Sequence, residues 1–295
     1  MKRKKIAVIF GGVSGEREVS INGGRAVMDG LDKEKYEISS YDFPSDLEKF
    51  LSEYKTIDVV LPILHGKIGE DGVIQGFFET LGVKYAFSGV YASALAMNKK
   101  ATKTILKDCG VLVPEEYALN KLKFPLVIKP NCDGSSIGVY IVKNKKEFEE
   151  KIKEAKKVSP DLIFEQFIEG REITVGILGN QNPEALPAME IKPKNSFFDY
   201  ESKYTEGMAE EVFLEEPDRE LEKKIQEIGL KVHKILGCRG ISRSDFIVDK
   251  KGNIYFLEVN TIPGQTATSL VPQAAKKAGY SYLQFLDKII ELALE

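Results

Sequence analysis

The sequence predicts a mixed fold, with an α/β unit on a parallel sheet at the start of the chain and α+β units after it. Strand and helix patterns alternate through residues 1–87, which is typical of βαβ connections. The later strands follow one another in hairpin order instead. A chain of 295 residues is also too long for one simple core, so we expect two or three compact units.

Residues 1–87 are predicted to form an amino-terminal Rossmann-like α/β domain. Its segments alternate from strand to helix in this order: KIAVIFGG, EREVSINGGRAVMDGL, YEISSYDF, SDLEKFLSEY, DVVLPILHG, EDGVIQGFFETLG and VKYAFSG. Ligands of such sheets bind at the carboxyl ends of the strands. The loops GGVSGE and HGKIGEDG fall there, which predicts that this domain contributes to a binding site.

Residues 88–168 and 169–295 are predicted to form two further domains. The central one has the helix SALAMNKKATKTILKDCG, the strand PLVIKP, a Gly/Ser loop, the strand GVYIVK, the helix KKEFEEKIKEAKKV and the strand LIFEQFI. The last one has the strand EITVGIL, a long irregular segment EIKPKNSFFDYESKYTEGMAEE, the helix DRELEKKIQEIGLKVHKILG, a hairpin and the terminal helix YSYLQFLDKIIELALE.

Composition narrows the function classes. The formal charge of −3 gives no reason to expect nucleic acid as a partner. Three scattered cysteines and two histidines predict neither a disulfide framework nor a zinc or histidine-rich centre. The first apolar run is too short for an export signal, and none reaches the roughly 20 residues of a membrane span. We therefore expect a cytoplasmic protein with no membrane partner.

The segments GISRSDFIVD and IYFLEVN are predicted to pair as a hairpin, because KKGN between them is a turn by composition. A four-residue loop would place Asp249 opposite Ile254. Side chains then alternate between the two faces. The apolar face, which we expect to enter the core, carries Phe246, Val248, Tyr255, Leu257 and Val259.

The other face of this hairpin gathers polar residues at one end, since Asp245 would face Glu258 and Arg243 would face Asn260. Opposed carboxylates repel unless a cation lies between them. Two carboxylates and an amide oxygen are hard ligands suited to Mg²⁺, with water and substrate phosphate completing the shell. The hairpin alone leaves open an exposed face on which Arg243 pairs with either acid.

The segment LVIKPNCDGSSIGVYIV indicates a phosphate-binding loop between two strands. Small side chains at Gly134, Ser135, Ser136 and Gly138 let backbone N–H groups approach an anion, and Lys129 ends the incoming strand as a point charge. The GxxxxGK[ST] pattern of a P-loop is absent from the sequence. A plain glycine-rich turn with a surface lysine is the alternative.

The next strand, in IFEQFIEGREITV, is a candidate for binding a nucleotide's base and sugar. Glu165 and Phe167 alternate in an apolar strand, which fits a segment that offers backbone hydrogen bonds to adenine. Glu172 is spaced to reach a ribose. An edge strand with solvent-facing acids explains the same pattern.

Together these motifs resemble the ATP-grasp superfamily and, within it, the D-alanine–D-alanine ligase family. The segments that carry the resemblance span nearly the full chain in the family's order: GGVSGEREVSINGG, LHGKIGEDGVIQG, YASALAMNKKATK, IKPNCDGSSIGV, FFDYESKY, ISRSDF, LEVNTIPG and TSLVPQAAKKAG. The family joins two D-alanines at the expense of ATP to make a peptidoglycan precursor. The resemblance implies that activity and a three-domain ATP-grasp fold, with ATP gripped between the last two domains.

The resemblance also implies the ligands of ATP and of two Mg²⁺ ions, with Mn²⁺ as an alternative. The residues that it assigns to ATP are Lys99, Lys129, Ser136 and Lys203 for the phosphates, Glu165, Gln166, Phe167 and Ile168 for adenine, and Glu172 for the ribose. Asp245, Glu258 and Asn260 are the implied metal ligands.

For the amino acids, the resemblance implies that Glu16 holds the ammonium of the first D-alanine. Arg243 and the N–H of Gly264 would stabilise the oxyanion. Ser269 and Leu270 would receive the carboxylate of the second D-alanine.

Two more site residues are implied with less detail. Tyr204 would close over the site in a hydrogen-bonded set with Ser135 and Glu16. His65 follows a strand and is expected near the peptide-forming site, although a structural turn histidine explains its position equally well.

A D-alanyl phosphate intermediate would hydrolyse if water reached it, so a closing lid is expected. The polar segment NSFFDYESKYTEGMAEE is the candidate, with a plain surface loop as the alternative. Ligases of this family are usually dimers, which implies a homodimer.

The sequence departs from the family pattern at one position of the site. Gln265 stands where methionine is common, which affects the expected selectivity for the second substrate.

Other functions are also compatible with parts of the sequence. VIFGGVSGE after a strand, with Asp42 ending the next one, suggests a nicotinamide-dependent oxidoreductase, but GxGxxG is missing. A non-catalytic ATP-binding regulator and a ligase making D-alanyl-D-lactate stay open, and Tyr204 in SKY argues against the latter.

Overall fold

The first unit is built on a three-stranded parallel sheet, as the alternating pattern predicts. The computed structural model describes residues 3–134, 136–193 and 209–295 of the chain. The strand order of this sheet is β2-β1-β3. The elements are β1 (Lys4–Gly11), α1 (Arg17–Gly30), β2 (Tyr36–Phe43), α2 (Leu47–Glu53), a 3₁₀ turn (Tyr54–Thr56), β3 (Val59–Pro62) and α3 (Val73–Leu81).

The fourth strand predicted in this unit, at VKYAFSG, is wrong. The chain there makes a single parallel bridge between Tyr85 and Val60. Phe87 then takes a left-handed backbone conformation with φ of 72°, which ends the extended segment.

The residues of β1 alternate between two cores, one on each face of the parallel sheet. Ile6 and Val8 enter one core, and Ala7 and Ile9 enter the other. The first core also contains apolar side chains of the last helix, so the carboxyl end of the chain covers one face of the first sheet. A strand buried on both faces reads as a continuous apolar run, which explains the sequence KIAVIFG.

The central unit contains a second sheet of three strands in the order β5-β4-β6, and both pairings are antiparallel. The single helix predicted over residues 93–110 is wrong, because the chain breaks into two helices at Asn98. The Asn98 side chain accepts the backbone N–H of Ala101 and so caps a new helix. The elements are α4 (Val90–Met97), α5 (Lys99–Asp108), β4 (Leu126–Pro130), β5 (Tyr140–Val142), α6 (Lys145–Val158) and β6 (Leu162–Gln166).

The third unit contains a six-stranded sheet in the order β10-β9-β7-β11-β12, with β8 paired to β7. The strands are β7 (Gly170–Leu178), β8 (Glu184–Ala185), β9 (Met189–Pro193), β10 (Ala209–Phe213), β11 (Ile241–Asp249) and β12 (Ile254–Asn260). The helices are α7 (Arg219–Ile235), α8 (Leu270–Lys277) and α9 (Tyr282–Leu294). Helix α8 was not predicted.

The segment predicted to be irregular, residues 190–211, is wrong at both ends. Strands β9 and β10 pair antiparallel there, with Ala209 opposite Pro193 and Phe213 opposite Met189. Most of the predicted lid lies between these strands and therefore outside the described residues.

The hairpin of β11 and β12 forms as predicted, but its register at the turn is wrong by one residue. Val248, not Asp249, lies opposite Ile254, because the register shifts between Asp245 and Phe246. A β-bulge of this kind inserts one extra residue into one strand. The pairs predicted at the other end of the hairpin are unaffected.

This bulge changes which side chains of β12 enter the core. Phe256 and Ile254 are buried beside Phe246, whereas Tyr255 and Leu257 are half-buried, so their predicted place in the core is wrong. The rings of Phe246 and Phe256 meet edge to face at 5.9 Å. Fully burying a phenylalanine contributes about 1.5–3 kcal/mol, so this pair anchors the strands that carry the site.

Helices α4 and α5 share a core with the six-stranded sheet, while the small sheet of the central unit has its own core around Leu126 and Phe148. The domain boundaries proposed after residues 87 and 168 remain a prediction. Within the described ranges, no helix has both the length and the apolarity to span a bilayer.

Candidate active site

A cleft with a volume of about 630 Å³ opens where the three units meet. Its lining comes from the carboxyl ends of β1 and β3, from the start of α5 with the Gly/Ser loop, and from the β11–β12 hairpin with the loop that follows it. The predicted site residues that it brings together are Glu16, His65, Lys99, Arg243, Asp245, Glu258, Asn260, Gly264, Ser269 and Leu270.

The predicted acid pair of the hairpin is present at the floor of this cleft. Asp245 lies opposite Glu258, and Arg243 lies opposite Asn260. Asp245 is only 5% exposed and accepts a hydrogen bond of 2.6 Å from the Thr174 hydroxyl on β7. Register, not chance proximity, therefore holds the two carboxylates side by side.

Cations of the chain neutralise both carboxylates. The Arg243 guanidinium donates from Nε to Oδ1 of Asp245 at 3.0 Å and from Nη2 to Oδ2 at 2.9 Å. The Lys99 ammonium lies 3.5 Å from Oε2 of Glu258. The hairpin sequence alone left open whether Arg243 pairs with an acid. In the structure Arg243 pairs with Asp245, and Asp245 and Glu258 also lie opposite each other.

The donor set fits a magnesium ion better than a softer metal. Asp245, Glu258 and Asn260 offer carboxylate and amide oxygens, which are the ligands that Mg²⁺ takes alongside water and phosphate. The Asn260 Oδ1 accepts the Ile262 N–H at 2.8 Å, which fixes the amide orientation and leaves that oxygen a second lone pair. Within the described ranges, no three or more His, Cys, Asp or Glu side chains form a ready metal cluster, so an ion here would depend on water and phosphate as well.

The start of α5 is docked onto the end of β4, which brings Lys99 to the Gly/Ser loop. The Lys99 N–H donates to the carbonyl of Asn131 at 3.1 Å, and the Lys99 ammonium donates to the carbonyl of Asp133. Ser136 takes a left-handed conformation with φ of 57°, which is uncommon for a residue with a side chain. Such strain concentrates at binding sites, so the loop has the character of a ligand clamp.

Two loops meet at Glu16, which stands at the start of α1 and is 9% exposed. A Cβ at Gly134 would lie 3.5 Å from its carboxylate, so the Gly/Ser loop approaches it closely. Gly66 has φ of +67°, and a Cβ there would meet the same carboxylate at 2.9 Å. Glycine at both positions therefore keeps the space around Glu16 open.

Lys129 and Glu165 lie beside the cleft in a buried ionic cluster. The Glu165 carboxylate contacts the ammonium of Lys103 at 2.5 Å through Oε1 and that of Lys129 at 2.8 Å through Oε2. Burial alone would raise the pKa of Glu165, but the two lysines lower it to about 2. Burial, together with the charge of Lys129, lowers the pKa of Lys103 to about 7.

The predicted adenine strand is tied into the chain by its own backbone. The N–H of Gln166 donates to the carbonyl of Glu115 at 2.8 Å, and that of Phe167 donates to the carbonyl of Pro125 at 3.4 Å. Ile168 is the second residue after β6, and Glu172 lies on β7 opposite Ile191 and Ile247. These residues do not line the main cleft.

His65 and Glu70 are buried in the wall that the first unit contributes. The His65 Nε2 has no hydrogen-bond partner among the described residues, and burial lowers the pKa of this imidazole. Burial, and then the charge of Glu16, raises the pKa of Glu70 to about 8, although its Oε2 accepts the Gly66 N–H at 2.6 Å.

The loop after β12 leads into α8 and forms the far wall of the cleft. Ser269 is the N-cap of α8, yet its hydroxyl bonds to the Thr266 hydroxyl at 2.7 Å and does not cap the helix. The first N–H groups of α8, beginning with Leu270, thus keep their capacity to bind an anion. A Cβ at Gly264 would meet the Ser269 Oγ at 2.8 Å, so a side chain at this position would displace the Ser269 hydroxyl.

Sequence reasoning missed three residues of the site region, namely Lys103, Glu70 and Thr174. Lys103 had a signal, since it lies one helical turn after Lys99 on α5. Glu70 lies in a loop motif and Thr174 in an apolar strand, and neither pattern marks the residue as part of a site. Only their tertiary contacts reveal it. The predicted residues that lie outside the described part of the chain are Ser135, Lys203 and Tyr204.

Comparison with known families matches almost the whole chain. The family described as "D-ala D-ala ligase N-terminus" matches residues 5–48 and 39–88, and "D-ala D-ala ligase C-terminus" matches residues 98–291. A D-alanine–D-alanine ligase of Carboxydothermus hydrogenoformans is 43% identical over 308 residues, covering 99% of this chain and 98% of that protein. One of Desulfotalea psychrophila is 43% identical over 309 residues, covering 100% and 96%.

Solved structures agree with this. The D-alanine–D-alanine ligase of Bacillus anthracis in complex with ATP superposes with a TM-score of 0.84 at 35% identity, covering 99% of this chain and 97% of that one. The VanG D-Ala:D-Ser ligase of Enterococcus faecalis gives a TM-score of 0.85 at 33% identity, covering 99% and 100%.

The fold and the cleft define an ATP-dependent ligase of the ATP-grasp type. The loop between β4 and β5 of the small antiparallel sheet and four strands of the six-stranded sheet contribute to the lining of the cleft. The chain belongs to the D-alanine–D-alanine ligase family.

Proposed function

We propose that this cleft joins two D-alanine molecules by way of a D-alanyl phosphate, with ATP as the phosphoryl donor, for peptidoglycan synthesis. The observation that carries the proposal is the pair Asp245 and Glu258, held opposite each other beside Arg243 in the cleft that also contains Glu16. One site then holds the acids for a metal–triphosphate complex, a cation for a developing oxyanion and an acid for a substrate ammonium.

ATP would lie along the central unit. Lys99 at the start of α5 and Lys129 at the end of β4 would meet its phosphates, together with the backbone around Ser136. The Lys203 side chain would reach the terminal phosphate. The base and sugar would meet Glu165, the backbone from Gln166 through Phe167 to Ile168, and Glu172. Because Gln166 and Phe167 use their N–H groups within the chain, we assign the adenine-binding donor to Ile168.

Asp245, Glu258 and Asn260 would hold two Mg²⁺ ions, with Mn²⁺ as an alternative. The hard oxygen donors and the surplus of acids in the cleft support this. When bound, such ions supply neutralisation of the triphosphate charge. Arg243 and Lys99, which neutralise these carboxylates here, are then available to the substrates.

In the first step, the carboxylate of one D-alanine attacks the γ-phosphorus of ATP and ADP leaves. Glu16 would hold the ammonium of that D-alanine, which fixes the carboxylate for in-line attack. Lys99 and Lys129 would offset the negative charge of the transferring group. This step turns a carboxylate, whose oxygen is a poor leaving group, into an acyl phosphate.

In the second step, the amine of the other D-alanine attacks the acyl carbon, and phosphate leaves as the peptide bond forms. Arg243 and the Gly264 N–H would donate to the tetrahedral oxyanion. Ser269 and the first N–H groups of α8, including that of Leu270, would hold the carboxylate of the incoming D-alanine. His65, buried with its Nε2 turned to no protein partner within the described chain, would contact the substrates in this part of the cleft.

Tyr204 and Ser135 would complete a hydrogen-bonded set with Glu16 when the segment between β9 and β10 covers the site. Ile191 on β9 and Glu211 on β10 line the cleft, so both ends of that segment start from its wall. A cover here would keep water from the acyl phosphate.

The test is ADP release with Mg²⁺ across D-alanine, D-serine and D-lactate as acceptors, with the products identified by mass. We expect D-alanine-dependent ADP release and D-alanyl-D-alanine as the main product. A second candidate, a D-alanyl-D-serine ligase, rests on the likeness to the VanG ligase, and a dominant D-serine product would select it. ATP binding without any D-amino-acid-stimulated ADP release would refute both.

We further propose that the enzyme is a cytoplasmic homodimer that binds neither nucleic acid nor membranes. The net charge of −3 supports the absence of a nucleic-acid partner, and the homodimer and the cytoplasmic location rest on the family resemblance. Sedimentation analysis would give a mass near twice 33.0 kDa, and a monomer at micromolar concentration would contradict the dimer.

A further inference from the structure

The proposed chemistry gives no role to Lys103, although it is one of the least exposed charged groups in the described chain, at 6%. A buried lysine loses its hydration and persists as a charge only with a partner. Its partner is Glu165, at 2.5 Å. The question is why a carboxylate that already has Lys129 needs a second lysine.

The cluster is assembled from three separate elements. Lys103 comes from α5, Lys129 from the end of β4 and Glu165 from β6. Each lysine takes a different oxygen of the carboxylate. A carboxylate has about four acceptor sites, so each oxygen keeps capacity for one more donor. The carboxylate is thus fixed in orientation and still able to accept.

Two lysines also protect the anionic form of Glu165 during binding. If Lys129 turns toward the phosphates of a nucleotide, a lone buried carboxylate would take up a proton, because burial disfavours its charged form. Lys103 cannot follow the nucleotide in the same way, since it is anchored one helical turn into α5. The charge of Lys129 is one of the causes that lower the pKa of Lys103, so that pKa rises when Lys129 moves toward the phosphates, and Lys103 then supplies the positive charge beside Glu165.

An ionised carboxylate only accepts hydrogen bonds, whereas a protonated one can also donate. The 6-amino group of adenine is a donor, and the 6-oxo group of hypoxanthine or guanine is an acceptor. We propose that Lys103 is a positioning residue that keeps Glu165 an oriented anionic acceptor, so that the site selects 6-amino over 6-oxo purine nucleotides. This inference rests on the proposed placement of adenine at Glu165.

The experiment compares the dissociation constants of ATP and inosine 5′-triphosphate by calorimetry, with Mg²⁺ and without D-alanine. The proteins are the full chain and its Lys103→Met, Lys103→Arg and Lys107→Met variants. Lys107 lies one turn further along the same helix and is exposed, so its variant is the matched control. The wild type and Lys107→Met should both prefer ATP.

For Lys103→Met we expect the preference for ATP over inosine triphosphate to fall about tenfold or more, since hydrogen bonds to charged groups are the stronger ones. Lys103→Arg, which retains the charge, should keep most of the preference. The ATP affinity of Lys103→Met should also weaken as pH falls from 8 to 6, because Glu165 then gains a proton more readily. Equal weakening of both nucleotides, or no change in either, would overturn the inference.

A second variant covers the case in which Lys103→Met does not fold. Glu165→Gln replaces one acceptor oxygen with an amide donor, so it should bind inosine triphosphate at least as well as ATP. A retained preference for ATP would contradict the role given to the carboxylate. Because these measurements use no amino acid, they separate this inference from the ligase chemistry: a wild type that discriminates between nucleotides but forms no dipeptide refutes only the latter.

Discussion

Two buried glutamates of this molecule are shifted in opposite directions. Glu165, at the proposed nucleotide end of the site, has a pKa lowered to about 2, and Glu70, at the proposed peptide-forming end, has a pKa raised to about 8. Both are less than a tenth exposed, so burial does not distinguish them. The difference lies in their neighbours, because Glu165 has two lysines and Glu70 faces another acid, Glu16.

The same contrast holds for the two ends as a whole. Around Glu165 the chain supplies more positive than negative charge. Within the described part of the main cleft, two basic residues, Lys99 and Arg243, face six acids besides the protonated Glu70: Glu16, Glu18, Asp133, Glu211, Asp245 and Glu258. The proposed nucleotide end is therefore organised in the absence of ligand, whereas the proposed peptide-forming end would depend on cations that ligands bring, namely metal ions and a substrate ammonium.

The largest expected effect comes from removing one acid of the pair on β11 and β12. Glu258→Gln should lower Mg²⁺-dependent ADP formation by about 10³-fold or more, because the metal–triphosphate complex loses a charged ligand. Steady-state ADP release measures this. Glu211→Gln changes an exposed acid of the same wall and should stay within about threefold of wild type. An active Glu258→Gln enzyme would remove this residue from the metal site.

A slightly smaller effect on the rate is expected when the guanidinium of Arg243 is replaced by an ammonium. Arg243→Lys keeps the charge but loses the planar fork that contacts Asp245 through two nitrogens. The rate of dipeptide formation should fall by about 10²–10³, the usual cost of one oxyanion donor, with little change in ATP affinity. Arg219→Lys, at an exposed position on α7, is the control. Equal losses in rate and in ATP affinity would place Arg243 at the nucleotide instead.

At the nucleotide end, the balance of charge can be broken by removing the acid. Glu165→Met leaves Lys103 and Lys129 buried without their partner and should destabilise the protein by about 3–5 kcal/mol. Urea unfolding in the absence of nucleotide measures this. A loss below about 1 kcal/mol would mean that the two lysines do not need the carboxylate, and the contrast between the two ends would fail.

The smallest effect is expected at Glu70 and depends on pH. In the folded protein its carboxyl keeps a proton up to about pH 8, against an ordinary value of 4.5, so the fold binds more protons than the unfolded chain between these values. Its contribution to stability is complete below about pH 4.5 and is lost as pH rises toward 8. Glu70→Gln cannot ionise and should escape that loss.

Melting temperatures of wild type and Glu70→Gln should therefore be similar near pH 5 and diverge in favour of the variant near pH 9, where each ~1 kcal/mol of lost stability lowers the midpoint of a chain of this size by about 2–4 °C. Glu18→Gln, at an exposed acid of the same cleft, should show no such divergence. A constant difference at all pH values would show that Glu70 is not the group that titrates.

The contrast also explains how far the sequence could predict this molecule. Pattern and register predicted the acid pair of the hairpin, because side chains two apart share a face. The turn end of the same hairpin was mispredicted, since the bulge near Phe246 depends on how Phe256 fills the core. Likewise, the partner of β9 lies beyond a long segment, and no local signal marks that pairing.

The sequence did not predict which charged side chains are buried next to one another. Lys103 reads as one of many helix lysines, and Glu70 as one acid in a loop; what distinguishes them is burial beside Glu165 or Glu16. The motifs that carry the family resemblance supplied most of the candidate site residues, and the contacts between elements supplied the others. The sequence shows which side chains share a strand face or a loop, whereas a shifted pKa depends on which distant segments pack together.

The most direct test of the proposed reaction follows the carboxylate oxygen of the first D-alanine. D-alanine labelled with ¹⁸O in its carboxylate is converted by the full chain with ATP and Mg²⁺, and the released phosphate is analysed by mass spectrometry. If the acidic end activates D-alanine as an acyl phosphate, one labelled oxygen appears in each phosphate formed. Dipeptide formation with unlabelled phosphate would contradict the account.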